Sequence, residues 1–198
     1  MRGRPGKISA RAALDFICEA GALKQTRRSG WQVLGIKNAE SVADHSFRCA
    51  VIGYVLAHME KADPYKVILM TLFGDMPEAR ITDLHKMAHS YLDVRKAEDK
   101  SFSDQIKGLP DSMRRQLTSI HTEFRRQKSR ESIVSRDADI LECLIQAKEY
   151  HEQGHLKADK FTRKAPTFLK SKSARLLWQL AKKSSLTDWW IKLSRFKR

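Results

Sequence analysis

Three ionisable residues of this chain fall within its most apolar segments, where an uncompensated charge is costly. They are His45 in the run ESVADHS, Asp75 in LFGDMPEARITD and Asp139 in SRDADILE. Side chains from separate helices can converge on one divalent cation inside a bundle. An imidazole with two carboxylates suits Mn, Fe, Co or Zn better than Ca. On spacing alone, ordinary helix caps and surface charges are the simpler explanation.

Two histidine pairs are rival candidates for metal binding. His85 and His89 stand four residues apart and would share one face of a helix, although a plain polar face explains them as well. The run HEQGH from His151 to His155 matches a zinc-protease pattern that needs a continuous helix. Because Gly154 interrupts that pattern, the run is more typical of a helix end with a left-handed glycine. Neither histidine pair is therefore favoured as a metal site.

The apolar periodicity is helical over nearly the whole chain. Ser41, Asp63 and Asp111 have the residue type and position of helix N-caps. No segment shows the sustained alternation of a strand. The sequence therefore predicts an all-α, compact single-domain helical bundle. The predicted helices cover residues 42–56, 64–74, 111–124, 132–151, 171–180 and 187–193.

Composition restricts the class of protein. A length of 198 residues suits one domain, and no apolar run reaches the roughly 20 residues of a membrane span. The three cysteines are far apart and form no CxxC motif, which argues against a disulfide scaffold or a zinc finger. These features predict a cytoplasmic protein without a membrane span.

The net charge of +15 is concentrated at the two ends of the chain. Residues 1–39 carry 8 basic and 2 acidic side chains, and residues 156–198 carry 13 and 2. The stretch 40–155 is slightly acidic, with 17 basic and 19 acidic residues. The basic ends would attract an anionic partner such as nucleic acid or a phosphorylated substrate. A solvated basic surface explains them equally well.

The runs ESVADHSFR, LFGDMPEARITD and RDADILECLIQAKEY, in this order, resemble the HD-domain phosphohydrolase superfamily. Within it they are most similar to the 5'-deoxynucleotidase-like branch. The resemblance covers a core of about residues 10–155 and leaves 156–198 as a basic helical extension of one domain, 1–198. It implies an all-α fold and one divalent metal ion (Mn, Co, Fe, Zn or Mg). It also implies hydrolysis of a nucleoside or deoxynucleoside 5'-monophosphate or a similar small phosphomonoester, and a homodimer.

The resemblance also implies roles for individual residues. His45, Asp75 and Asp139 correspond to metal ligands. Glu78 matches the glutamate that positions or activates the attacking water, and Asp83 matches an aspartate near the sugar or the water. These two are the expected catalytic residues.

The substrate-binding residues are less sharply placed. Family members often have a phosphate-binding arginine directly before a tryptophan, whereas here Gly30 precedes Trp31. Arg27 and Arg28 lie just upstream, and with Arg80 they are expected to neutralise phosphate oxygens. The resemblance places Trp31 beside the substrate.

Gly74 is the main departure from the family pattern, because it stands where the HD pair has its histidine. One metal ligand is therefore missing. A water or another histidine could complete a weaker but competent site. Alternatively, the chain is a degenerate, non-catalytic HD domain that binds nucleotide or nucleic acid through its basic termini. The five other matching polar residues favour catalysis.

Overall fold

The structure, a computed structural model, describes residues 10–193. Over these residues the chain forms eleven α-helices and no strand, which confirms the predicted all-α fold. Residues 1–9 and 194–198, which include part of the predicted basic ends, lie outside the described residues. The helices are α1 (Ala10–Ala22), α2 (Ser29–Val33), α3 (Val42–Glu60), α4 (Pro64–Phe73), α5 (Glu78–Ile81), α6 (Val94–Ile106), α7 (Asp111–Arg126), α8 (Arg130–Glu152), α9 (Asp159–Lys164), α10 (Lys172–Lys183) and α11 (Asp188–Leu193).

Local capping explains where several helices begin. Ser41 forms a capping box with Asp44 at the start of α3, and Asp63 accepts hydrogen bonds from two backbone N–H groups of α4. The prediction that Asp111 caps α7 is wrong. Asp111 is the first helical residue, Pro110 holds the cap position without a side-chain bond, and the Asp111 carboxylate pairs with Arg114 instead.

Helices α3, α4 and α8 enclose the largest part of the core. Its buried members include Leu56, Val67, Leu141 and Leu144, and burial of each such side chain stabilises the fold by about 1.5–3 kcal/mol. Trp178 of α10 belongs to the same cluster. The segment after residue 155 therefore contributes to the core. No helix among the described residues is both long and apolar enough to cross a membrane.

The segment before α2 is fastened to the start of α3. Arg27 and Ser41 form an isolated antiparallel bridge, and the backbone N–H of Arg28 donates to the carbonyl of Glu40 at 3.1 Å. The N–H of Val42 donates to the carbonyl of Thr26 at 2.8 Å. These bonds hold Arg28 close to the first turn of the helix that carries His45.

Candidate metal centre

His45 lies in the first turns of α3 and is 1% exposed. Its Nε2 atom is 3.4 Å from Oδ2 of Asp75, in the turn after α4, and 3.3 Å from Oδ1 of Asp139 on α8. Three separate elements thus bring together the three residues that the sequence singled out as ligands. The carboxylates of Asp75 and Asp139 are 29% and 27% exposed, so an ion can reach them from solvent.

The other ring nitrogen of His45 contacts Glu142, a residue that sequence reasoning missed. Nδ1 lies 2.5 Å from Oε2 of Glu142, which is fully buried on α8. An acidic residue between Leu141 and Cys143, one turn after Asp139, was the available signal. Although burial lowers the pKa of His45, hydrogen bonds with Asp139 and Glu142 raise it to about 10 in the metal-free protein.

The chemistry of the donors indicates which side of the imidazole fits a cation. On the Nδ1 side, Glu40, His45 and Glu142 bring ligand atoms within 4.8 Å of one another. On that side, however, Glu142 is fully buried, and the two carboxylates accept bonds from Trp31 Nε1 and from Arg48. On the Nε2 side, the partly exposed carboxylates of Asp75 and Asp139 both lie within 3.4 Å of the nitrogen, and the second oxygen of Asp139 accepts a bond from Arg136. This second arrangement fits a divalent ion held by three protein ligands and completed by water.

Gly74 directly precedes Asp75 and supplies no side chain to the cluster. A β-carbon at this position would lie 2.9 Å from the carbonyl oxygen of Met70, closer than such atoms normally approach. Two other histidines, His89 and His121, have partners away from the cluster. His89 Nε2 bonds to the carbonyl of Leu84 and His121 Nε2 to Asp99, so neither contacts the cluster in place of the missing ligand.

The rival histidine motifs do not form the helical faces that they would require. His85 lies in a loop and His89 in a short 3₁₀ turn over Ala88–Ser90. Helix α8 ends at Glu152, and Gly154 has a φ of 96°. The HEQGH run is therefore the end of a helix, as expected from its glycine.

Glu78 and Asp83 have contrasting environments. Oε2 of Glu78 is buried and makes no hydrogen bond within the described part of the chain. Burial, with the charges of Asp75 and Asp83, raises the pKa of Glu78 to about 10. Asp83 instead accepts bonds from the backbone N–H of Ser29 at 2.5 Å and from its hydroxyl at 3.2 Å. Asp83 thus ties the start of α2 to the site.

Arg28 is a largely buried basic residue that reaches the cluster. Its Nη1 atom lies 3.7 Å from Oδ2 of Asp75, and its side chain is 17% exposed. Burial opposes the charged guanidinium, but the surrounding carboxylates, Asp75 first among them, raise the pKa of Arg28 above its usual value. Arg28 beside Asp75 and Arg136 beside Asp139 therefore both place positive charge next to the acidic groups of the site.

The other three predicted substrate-binding residues point elsewhere. Arg27 donates to the carbonyl of Ala39, and Arg80 pairs with Glu19 on α1. Trp31 is 2% exposed and packs against aromatic rings, and its Nε1 donates to Glu40 at 2.8 Å. The structure brings none of these three side chains to the Nε2 side of His45.

Comparison with known proteins places these features in context. The family model described as "HD domain" matches residues 20–178. The 5'-deoxynucleotidase HDDC2 of Homo sapiens is 28% identical over 147 residues, which are 74% of this chain and 72% of that protein. The 5'-deoxynucleotidase YGK1 of Saccharomyces cerevisiae is 26% identical over 151 residues, which cover 74% of this chain and 70% of that protein.

Solved structures show the same architecture. A conserved hypothetical protein from Pyrococcus furiosus superposes with a TM-score of 0.74 and 32% identity, covering 86% of this chain and 97% of its own. A protein from Magnetospirillum magnetotacticum, titled a predicted metal-dependent phosphohydrolase, gives a TM-score of 0.66 at 20% identity, covering 87% and 90%. At that identity the second likeness concerns the fold alone.

Proposed function

Because the chain belongs to the HD-domain family, we propose that it is a metal-dependent phosphohydrolase of nucleoside or deoxynucleoside 5'-monophosphates. The observation that carries this proposal is the convergence of Asp75 and Asp139 on Nε2 of His45. The similarity to 5'-deoxynucleotidases supports the substrate class.

The residues that would hold the ion are His45, Asp75 and Asp139. An imidazole with two carboxylates suits Mn, Fe, Co, Zn or Mg. When bound, the ion supplies Lewis acidity toward a phosphoryl oxygen and promotes the ionisation of water. With Gly74 in place of a fourth ligand, more of the ion's coordination shell is left to water and substrate than in a site with four protein ligands.

Arg28 is proposed to bind the phosphate of the substrate. Its guanidinium lies beside Asp75, and its backbone is held in place by the bond to Glu40 and by the attachment of Ser29 to Asp83. A guanidinium can donate two parallel hydrogen bonds to phosphate oxygens. Arg28 therefore takes the place of the family arginine for which this chain has Gly30, and Asp83 acts by positioning it.

Glu78 is proposed to orient the attacking water and to accept its proton. Among the described residues, one oxygen of this buried carboxyl group has no hydrogen-bond partner, and the charge of Asp75 adds to burial in raising its pKa. Positive charge placed among these carboxylates favours the ionised form of Glu78, which is the form that accepts a proton. The water oxygen then bonds to phosphorus while the bond between phosphorus and the sugar 5'-oxygen breaks. Glu78 then returns the proton to the leaving 5'-oxygen, and the products are a nucleoside and inorganic phosphate.

Phosphate release from ribo- and deoxynucleoside 5'-monophosphates, with the 3'-monophosphates as controls, tests the proposal. Each substrate is assayed with Mn²⁺, Co²⁺, Mg²⁺ and Zn²⁺, beside an Asp75→Ala variant. We expect metal-dependent release from the 5'-esters only. Nucleotide binding without release above the variant would contradict catalysis and support the non-catalytic alternative. A homodimer, nucleic-acid binding and a cytoplasmic location stay predictions of the sequence.

A further inference from the structure

We infer that Glu142 and Arg48 form a positioning pair that fixes the ring of His45, so that its Nε2 atom faces the cation site. This inference rests on the proposed metal centre and adds two residues to it. Neither residue faces the Asp75 side of the ring, so both would act through His45.

The contacts of Glu142 account for both of its oxygens. Oε2 lies 2.5 Å from Nδ1 of His45. Oε1 accepts from Nε of Arg48 at 3.0 Å and pairs with its Nη2 at 2.8 Å. Glu142 is 0% exposed, and a buried carboxylate is tolerated only where such partners satisfy it. The contacts with His45 and Arg48 therefore hold the Glu142 carboxylate in one orientation.

Arg48 is itself held by a second layer of contacts on α8. Nη1 bonds to both carboxylate oxygens of Glu149, at 2.8 and 2.7 Å, and Nη2 donates to Gln146 at 2.6 Å. Glu142, Gln146 and Glu149 lie three or four residues apart and therefore share one face of the helix. His45 and Arg48 are likewise three residues apart on α3. The facing surfaces of α3 and α8 are thus linked by one network of hydrogen bonds and ion pairs.

This network determines which nitrogen can bind a cation. Asp139 and Glu142, one turn apart on α8, contact opposite nitrogens of the same imidazole. In the neutral imidazole, the form that binds a metal, Nδ1–H donates to Glu142 and the lone pair of Nε2 points toward Asp75 and Asp139. Carboxylate partners of this kind orient metal-binding histidines, and their loss typically weakens metal affinity by 10–100-fold.

A Glu142→Gln variant tests the inference with little change in shape. Glutamine has a single side-chain oxygen that accepts hydrogen bonds. In the wild-type protein, the Nδ1–H of His45 and the guanidinium of Arg48 each donate to a different oxygen of Glu142. If the amide NH₂ faces Nδ1 instead, the ring proton moves to Nε2 and blocks the cation. We expect Co²⁺ to bind the metal-free variant about 10–100-fold more weakly in calorimetric titration. The visible spectrum of the bound Co²⁺ should stay close to that of wild type, because no ligand is lost.

Three further variants complete the test. Glu152→Gln is the matched control, since Glu152 lies on the same helix but pairs with Lys148, and its Co²⁺ affinity should stay within about threefold of wild type. Arg48→Gln should weaken binding in the same direction as Glu142→Gln, and provides the measurement if Glu142→Gln fails to fold. His45→Ala should abolish binding at the centre.

The outcomes distinguish the positioning role of Glu142 and Arg48 from the proposed metal centre. Wild-type Co²⁺ affinity in Glu142→Gln, or in Arg48→Gln if the former does not fold, would overturn the positioning role. A Glu142→Gln spectrum that shows a lost ligand would also overturn it, because Glu142 would then bind the ion directly. Unchanged Co²⁺ binding in His45→Ala would instead contradict the proposed metal centre itself.

Discussion

Nε2 of His45 lies 3.3 Å from Oδ1 of Asp139, across the interface between α3 and α8. Asp137, two residues earlier on the same helix, has a different task. Its carboxylate is fully buried and accepts bonds from the backbone N–H groups of Lys170 and Ser171 before α10. Neighbouring aspartates thus serve the site and the fold separately.

Substitution of each aspartate by asparagine should separate these tasks. Asp139→Asn should weaken divalent metal binding about tenfold or more, with little loss of stability, because its other partner is the exposed Arg136. Asp137→Asn should lower the free energy of unfolding by about 1–3 kcal/mol, since an amide donor would face two backbone donors. Metal titration and urea unfolding of both variants check this. Equal effects of the two substitutions on metal affinity would contradict the assignment.

Arg28 and Arg27 offer a matched pair for testing phosphate recognition. Arg28→Met should lower kcat/KM for a nucleoside 5'-monophosphate about 10–100-fold, as expected for lost hydrogen bonds to a charged group. The same substitution should strengthen divalent metal binding, because a positive charge beside Asp75 is removed. Arg27→Met should do neither, since Arg27 bonds to the carbonyl of Ala39. Steady-state kinetics and metal titration provide the readouts, and a loss of activity confined to Arg27→Met would reverse the assignment.

The missing ligand can be restored at position 74. Gly74→His should tighten metal binding on the order of tenfold or more, since even indirect partners of a metal change its affinity by that much. Any β-carbon there must displace the last turn of α4, because it approaches the Met70 carbonyl. Gly74→Ala introduces the same crowding without a ligand and is the control. Equal metal affinities for the two variants would mean that the imidazole cannot reach the ion.

Glu40 should make the stability of the metal-free protein depend on pH. Burial, with the neighbouring Glu142, raises the pKa of Glu40 from 4.5 to about 7. Between these values the folded protein binds more protons than the unfolded chain, so the free energy of unfolding falls as pH rises through about 7. Glu40→Gln retains an acceptor for Trp31 and removes the buried charge. Its melting temperature in EDTA should exceed that of wild type at pH 8 but not at pH 5. An equal difference in melting temperature between variant and wild type at pH 5 and at pH 8 would contradict this explanation.

The parts of the fold that depend on residues close together in the sequence could be predicted. The contacts between residues far apart in the sequence could not. Ser41 and the Asp63-Pro64 pair act within one turn of their own helices, so residue type was sufficient. The partnership of Glu142 with His45 depends on how α8 is rotated against α3, which periodicity does not specify. Trp31 was expected beside the substrate, but packing against α8 and α9 buries its ring.

Anomalous diffraction from crystals soaked with Mn²⁺ tests the central claim most directly. The account predicts one strong peak bonded to Nε2 of His45 and to carboxylate oxygens of Asp75 and Asp139, and no such peak in the Asp75→Ala variant. Absence of a peak there in the wild-type protein, or a peak on the Nδ1 side between Glu40 and Glu142, would contradict it.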